Sequence, residues 1–152
     1  MSCTATIRTA RDSDLLDLAS LLEELFYIEE DFTVDRDRQL RGLDLMLHNP
    51  QGRVLVAEAD GTVVGMCTGQ LLISTSEGGP AVMVEDVVVR RGWRNKGVGA
   101  ELMTAITQWA QDQGATRLQL LADRNNAPAF AFYNRLGWKH TRLVCMRSML
   151  ES

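Results

Sequence analysis

The sequence predicts an α+β fold around one mixed, twisted sheet, and three observations carry that expectation. Val87, Val88 and Val89, β-branched and suited to an extended backbone, run into a glycine-bearing turn, after which Val98, Leu102, Ile106 and Trp109 recur at the three-to-four spacing of one helical face. Asp60-Gly61 separates two strand-like runs in the manner of a tight hairpin turn. Finally, 152 residues with 45% apolar and 24% charged side chains suffice for one domain with a core and fall short of two ordinary ones. A single domain over residues 1–152 is therefore expected.

Taken in order, Ala5 to Thr9 reads as a short strand, and Asp12 or Ser13 can cap a helix running through Leu15, Leu18, Leu22 and Leu25. Acidic residues then collect around Glu23 to Asp37, interleaved with Phe26, Tyr27, Ile28 and Phe32. A second helix from Asp37 to His48 is stopped by Asn49-Pro50-Gln51-Gly52. Arg53 to Ala59 and Thr62 to Ile73 make the hairpin, and the loop-like Ser74 to Pro80 leads into a strand from Ala81 to Val89. The helix of residues 98 to 113 meets a stop at Gly114, and Arg117 to Leu121 has the look of a core strand. Asn126 can cap a fourth helix that tolerates Pro128 in its first turn and ends at Gly137. Trp138 to Leu150 should supply two closing strands. The expected sheet thus has about six to seven strands flanked by four helices.

Composition excludes several classes. No apolar run approaches the roughly 20 residues a membrane span needs. The first residues lack the basic start and apolar stretch of a secretory signal, so a cytoplasmic address is expected. Cys3, Cys67 and Cys145 show neither close pairing nor metal-ligand spacing, and no metal is expected. A net charge of −4 argues against general nucleic-acid affinity and is compatible with cationic substrates.

Chemistry points to the turn after Val89. It carries Arg90, Arg91, Arg94 and Lys96 around Gly92, Gly97 and Gly99 and opens a helix whose first N–H groups lack intrahelical partners, an arrangement suited to a phosphate. Gly92 and Gly97 have the spacing of a Walker loop, but Val98 and Gly99 stand where its Lys and its Ser or Thr belong, so nucleotide hydrolysis is not expected. Leu102 stands where a dinucleotide fingerprint needs its third glycine.

Arg94-Asn95-Lys96-Gly97-Val98-Gly99 resembles the Arg/Gln-x-x-Gly-x-Gly/Ala signature of the GNAT superfamily of acyl-CoA-dependent N-acetyltransferases. Asn126-Ala-Pro-Ala-Phe-Ala-Phe-Tyr133-Asn-Arg-Leu-Gly137-Trp138 resembles that family's downstream Asn-x-x-Ala-x-x-Phe-Tyr-x-x-x-Gly-Phe segment. The resemblance implies a GNAT-like fold with the element order read above and acetyl-CoA as co-substrate. It assigns the pantetheine amides to Val87 and Val89, polarisation of the thioester carbonyl to a main-chain N–H near Val88, and the pyrophosphate to Arg94, Asn95, Lys96, Gly97, Val98, Gly99 and Ala100. Asn126 and Ala129 fall on the cofactor side of the second motif.

By the same resemblance Glu85 matches a strand carboxylate that deprotonates the acceptor amine, and Tyr133 a tyrosine that protonates or hydrogen-bonds the departing thiolate. Strand alternation sends Glu85 and Asp86 to opposite faces, which leaves open which of the two is the base. Tyr27, Glu29, Glu30 and Asp86 are the candidate acceptor contacts, and this arrangement looks most like the polyamine and small-diamine members. The implied reaction is acetyl transfer to a primary amine by direct attack in a ternary complex. A protein N-terminal acetyltransferase, an amino-sugar acetyltransferase and a non-catalytic CoA-binding sensor are the alternatives. Family habit further implies a homodimer, with Leu143, Val144, Met146 and Met149 as a candidate apolar face.

Overall fold

The computed structural model describes residues 4–28 and 35–151, without the side chains of residues 26–28. They form two compact units, Met1–Leu120 and Leu121–Ser152. In the first, β1 (Thr6–Thr9), β2 (Gly52–Ala59), β3 (Thr62–Ser74), β4 (Gly79–Val89) and β5 (Leu118–Leu120) lie side by side in chain order. Every neighbouring pair is antiparallel except β4–β5, which is parallel. Helices α1 (Leu15–Ile28), α2 (Arg36–Leu47) and α3 (Val98–Asp112) belong to this unit, and α4 (Ala127–Arg135) to the second. None of the described helices is long and apolar enough to cross a membrane.

Local signals explain most of these elements. Asp60 and Gly61 both take positive φ, 52° and 74°, as the hairpin between β2 and β3 requires. Asp35 caps α2 by accepting from the Arg38 N–H at 3.1 Å. The start of α1 departs from expectation: a 3-10 turn over Asp12–Asp14 precedes it, and it is Asp14 whose carboxylate reaches back to the Arg11 N–H at 2.7 Å. Asp14 is better placed because Arg8 also binds it, at 2.8 and 3.0 Å, while donating to Glu58 at 2.7 Å.

That ion pair ties β1 to the start of the first helix. The hydrogen-bonded Arg8 guanidinium, outweighing the opposing effect of burial, holds the Asp14 carboxyl below its usual range. A carboxyl with a lowered folded pKa stabilises the fold above its unfolded value of about 3.9, and that stability is lost as pH falls through the folded value. Asp14→Asn is expected to cost on the order of 1.5–3 kcal/mol at pH 7, with the gap to wild type closing below about pH 4. Urea unfolding of both proteins at pH 7 and in the acid range checks this; a gap independent of pH would assign the loss to packing.

The sheet is covered on both faces. Leu18, Leu21 and Leu22 of α1 and Leu43 of α2 pack with Val54, Val56, Met66 and Val88 on one side. On the other, a Cβ on Gly65 would come within 3.2 Å of Leu102, and one on Gly69 within 3.0 Å of Ile106 and 3.2 Å of Trp109. These two glycines of β3 let the apolar stripe of α3 lie close against the strand.

Among the described residues the sheet has five strands, not six to seven. The expected closing strands between Trp138 and Leu150 are absent, and Leu143, Val144, Met146 and Met149 are exposed there. Apolar and β-branched content measures fit to a pleated surface, and without a neighbouring ladder to take its N–H and C=O groups a segment gains nothing from extension. In the second unit α4 forms as expected. Asn126 caps it by accepting from the Ala129 N–H at 3.2 Å, and Gly137, at φ 89°, ends it with the Trp138 N–H bonded to the Tyr133 carbonyl at 3.0 Å.

Candidate functional site

The pairing of β4 with β5 ends at Val84 and Leu120, whereas β4 continues to Val89. From Glu85 onward the β5-facing edge of β4 is therefore without a strand neighbour among the described residues. Peptide groups alternate in direction along an antiparallel strand. The Arg90 N–H goes to the Val64 carbonyl of β3 at 2.8 Å, so the groups of Val89 face the other way, where Arg94 Nε donates to the Val89 carbonyl at 2.9 Å. Val88, at 5% exposure, packs into the core, while Val87 and Val89 are half-buried.

Beyond this edge the turn is shaped by its backbone. Asn95 and Gly97 take positive φ, 61° and 85°, and Gly97 is the N-cap of α3 without a side chain to fill that role. The first-turn N–H groups at Val98, Gly99 and Ala100 consequently have neither an intrahelical acceptor nor a capping side chain. The basic residues are partly committed: Arg90 Nε donates to the Val63 carbonyl at 2.9 Å, and Lys96 Nζ lies 4.9 Å from the Trp93 ring centroid. Fixed backbone donors flanked by guanidinium and ammonium groups can take a phosphate-bearing ligand.

On the α1 and α2 side of the sheet lies a cavity of about 430 Å³. Leu22, Gln39, Leu43, Thr68, Glu85 and Asp86 line it, with Asp35 and Arg38 at its margin paired at 3.7 Å. That pair offsets itself, and Glu85 and Asp86 add two strand carboxylates to the wall.

Here strand alternation fails. Thr68 of β3 opposes Glu85, and Met66 opposes Val88, so two residues of β4 face the single Cys67. This is a β-bulge, and Asp86 sits in it at φ 53°, a conformation aspartate tolerates better than most residues. The extra residue brings Asp86 round to the cavity that Glu85 also lines, contrary to the expectation of opposite faces. Thr68 Oγ1 ties the two together, lying 3.0 Å from the Glu85 carbonyl and 3.4 Å from Asp86 Oδ2. Burial, reinforced by Asp86, pushes the neighbouring Cys67 thiol up to about 12.

Of the other expected site residues, Glu29, Glu30 and the side chain of Tyr27 lie outside the described residues. Tyr133 is on α4, its ring 5.0 Å from Phe132 and 5.7 Å from Trp138 by centroids. Gln39, Thr68 and Arg38 were missed as cavity residues. Gln39 had left a signal: it heads the Gln39, Leu43, Met46 stripe of α2 at a position where packing alone would call for an apolar side chain. Among the described residues Asp12, Asp44 and His48 are grouped closely enough for a metal-ligand set, but all are exposed, and the imidazole lies 3.1 Å from Asp12 and 3.5 Å from Asp44.

A strand edge left open beside a glycine turn, with an acid-lined cavity on the same strand, resembles the layout that the sequence motifs imply for an acyl-CoA-dependent acyltransferase domain. Comparison with known proteins turns the class into a family. The chain belongs to the acetyltransferase (GNAT) family, whose pattern matches residues 15–138. Over 80 residues it is 35% identical to streptothricin acetyltransferase of Streptomyces lavendulae, covering 53% of this chain and 40% of that one. The chain thus spans less than half the length of that relative. Its fold is that of a possible acetyltransferase from Clostridium difficile 630, with TM-score 0.86, 22% identity and coverage of 99% and 100%. It is also that of the aminoglycoside N-acetyltransferase AAC(6')-Iy in complex with CoA, with TM-score 0.83, 20% identity and coverage of 95% and 94%.

Proposed function

We propose that residues 1–152 act as one acetyltransferase domain, moving the acetyl group of acetyl-CoA to a primary amine of a small cationic molecule. The observation that carries this reading is the bulge that turns Glu85 and Asp86 into a single cavity on β4, the strand that leads into the glycine turn. Two carboxylates attract an ammonium, and one of them, directly or through water, takes its proton so that the free amine can attack. Glu85 is assigned the base and Asp86 acceptor binding. Direct attack in a ternary complex goes with this reading, and Cys67, the cysteine next to the cavity, is fully buried with its thiol pushed up by that burial, which makes it a poor nucleophile.

The assignments of the cofactor rest on the family. Val87 and Val89 take the pantetheine amides along the open edge, a main-chain N–H near Val88 faces the thioester carbonyl, and residues 94–100 take the pyrophosphate. Donors aimed at the developing oxyanion lower the barrier more than they stabilise the ground state. Asn126 and Ala129 are assigned to cofactor binding and Tyr133 to the departing thiolate. The acceptor is a polyamine or a comparable multi-amine; relatives named for streptothricin and for aminoglycosides extend that range to amino sugars.

Thiol release from acetyl-CoA across polyamines, aminoglycosides, amino acids and peptides tests the reading. Turnover with one class of small amine is the expected result. Binding of acetyl-CoA with no release across the panel would instead identify a sensor module.

A two-fold dimer through residues 138–150 goes with this proposal, since Leu143 is 85% exposed and Met146 90%. Light scattering is expected to give twice the chain mass of 16.9 kDa. A monomer at working concentration would end the idea.

A further inference from the structure

We infer that Gln39 is the acceptor-specificity residue of this cavity and that it favours amines carrying hydroxyl groups, such as amino sugars, over purely alkyl polyamines. The inference rests on the acetyl-transfer reading for the identity of the cavity. Gln39 is 8% exposed and lines the cavity with Glu85 and Asp86, yet its Oε1 and Nε2, both closed to solvent, have no hydrogen-bond partner among the described residues, so a ligand pairs them by turning the amide toward the cavity. Buried side-chain amides are ordinarily paired, and a polar residue in the stripe with Leu43 and Met46 has no packing reason to be there.

The amide's chemistry selects what can complete it. Oε1 accepts and Nε2 donates two hydrogens, so full pairing needs a ligand that presents a donor and an acceptor at the same place. An alkylammonium has donors only; it can satisfy Oε1 but leaves Nε2 buried and unpaired. A hydroxyl supplies both. The carboxylates of Glu85 and Asp86 recognise charge and treat the two kinds of amine alike, so discrimination falls to Gln39. The asymmetry is the usual one: a site built to hydrogen-bond a hydroxyl loses more against the analogue lacking it than an apolar pocket does.

The experiment is calorimetric titration of kanamycin A and of spermidine into wild type, Gln39→Met and Gln39→Glu. Methionine keeps length and removes both polar atoms, and it is expected to leave the thermal midpoint unchanged or raised because an unpaired buried amide is replaced by an apolar chain. It should weaken kanamycin A about 10- to 100-fold, the worth of two lost hydrogen bonds, and leave spermidine within about twofold. Gln39→Glu adds a charge that both polycations feel but removes the Nε2 donor that only the hydroxyl uses, so it should shift the preference toward spermidine. Equal changes for both ligands, no change for either, or wild type that binds neither would overturn the inference. Because binding is read without turnover, a wild type that binds kanamycin A but releases no CoA leaves Gln39's role standing and refutes acetyl transfer instead.

Discussion

Glu85→Gln is expected to lower kcat/KM at neutral pH by about 10²–10⁴-fold, with activity recovering as pH rises and free amine becomes available. Glutamine keeps the size of the side chain and removes its basicity, so the pH profile separates a lost base from a lost contact. Asp86→Asn is the necessary companion. The bulge puts both carboxylates in one cavity, and asparagine tolerates the φ of 53° at that position, so the backbone should survive the change. Asp86→Asn is expected to raise KM for the amine while keeping the wild-type pH profile. Tyr133→Phe should lose activity across the whole pH range, with acetyl-CoA affinity close to wild type, since only the phenol is removed. If Glu85→Gln shows an unchanged profile and Asp86→Asn a shifted one, the two roles are exchanged; if Tyr133→Phe is fully active, the tyrosine serves packing against Phe132 and Trp138.

Acetyl-CoA binding should collapse in Gly97→Val while surviving Lys96→Ala. A β-branched residue is a steric outlier at φ 85°, so valine would either displace the turn or place its branches ahead of the first N–H groups of α3. Local strain of about 1–3 kcal/mol corresponds to roughly 5- to 150-fold in affinity. Lys96 is exposed and rests against Trp93, so its removal subtracts one screened charge and should cost no more than a few-fold. Calorimetry with circular dichroism as a check on folding decides the point. Wild-type affinity in a folded Gly97→Val protein would put the cofactor elsewhere.

Local chemistry made much of this molecule legible. Val87–Val89, the glycine turn and the spacing from Val98 to Trp109 specify a strand, a turn and a helix without reference to anything distant, and the same holds for Asp60-Gly61 and for the cap at Asn126, whereas the cap at Asp35, two residues before the expected start of α2, came from the structure. The family signature on residues 94–99 followed from those positions alone.

What the sequence could not convey depends on pairs of segments. The bulge at Asp86 exists because Thr68 opposes Glu85 while Met66 opposes Val88, and a register shift has no mark in one strand's own pattern, so alternation put the two carboxylates on opposite faces when one cavity holds both. In the sequence Gln39 is one residue of a helix; only tertiary packing buries it and sets it with Leu22 and Leu43 on the wall of one cavity. The strands expected after Trp138 failed for the converse reason: extension is stabilised by a partner's N–H and C=O groups, and propensity carries no information about whether that partner is present.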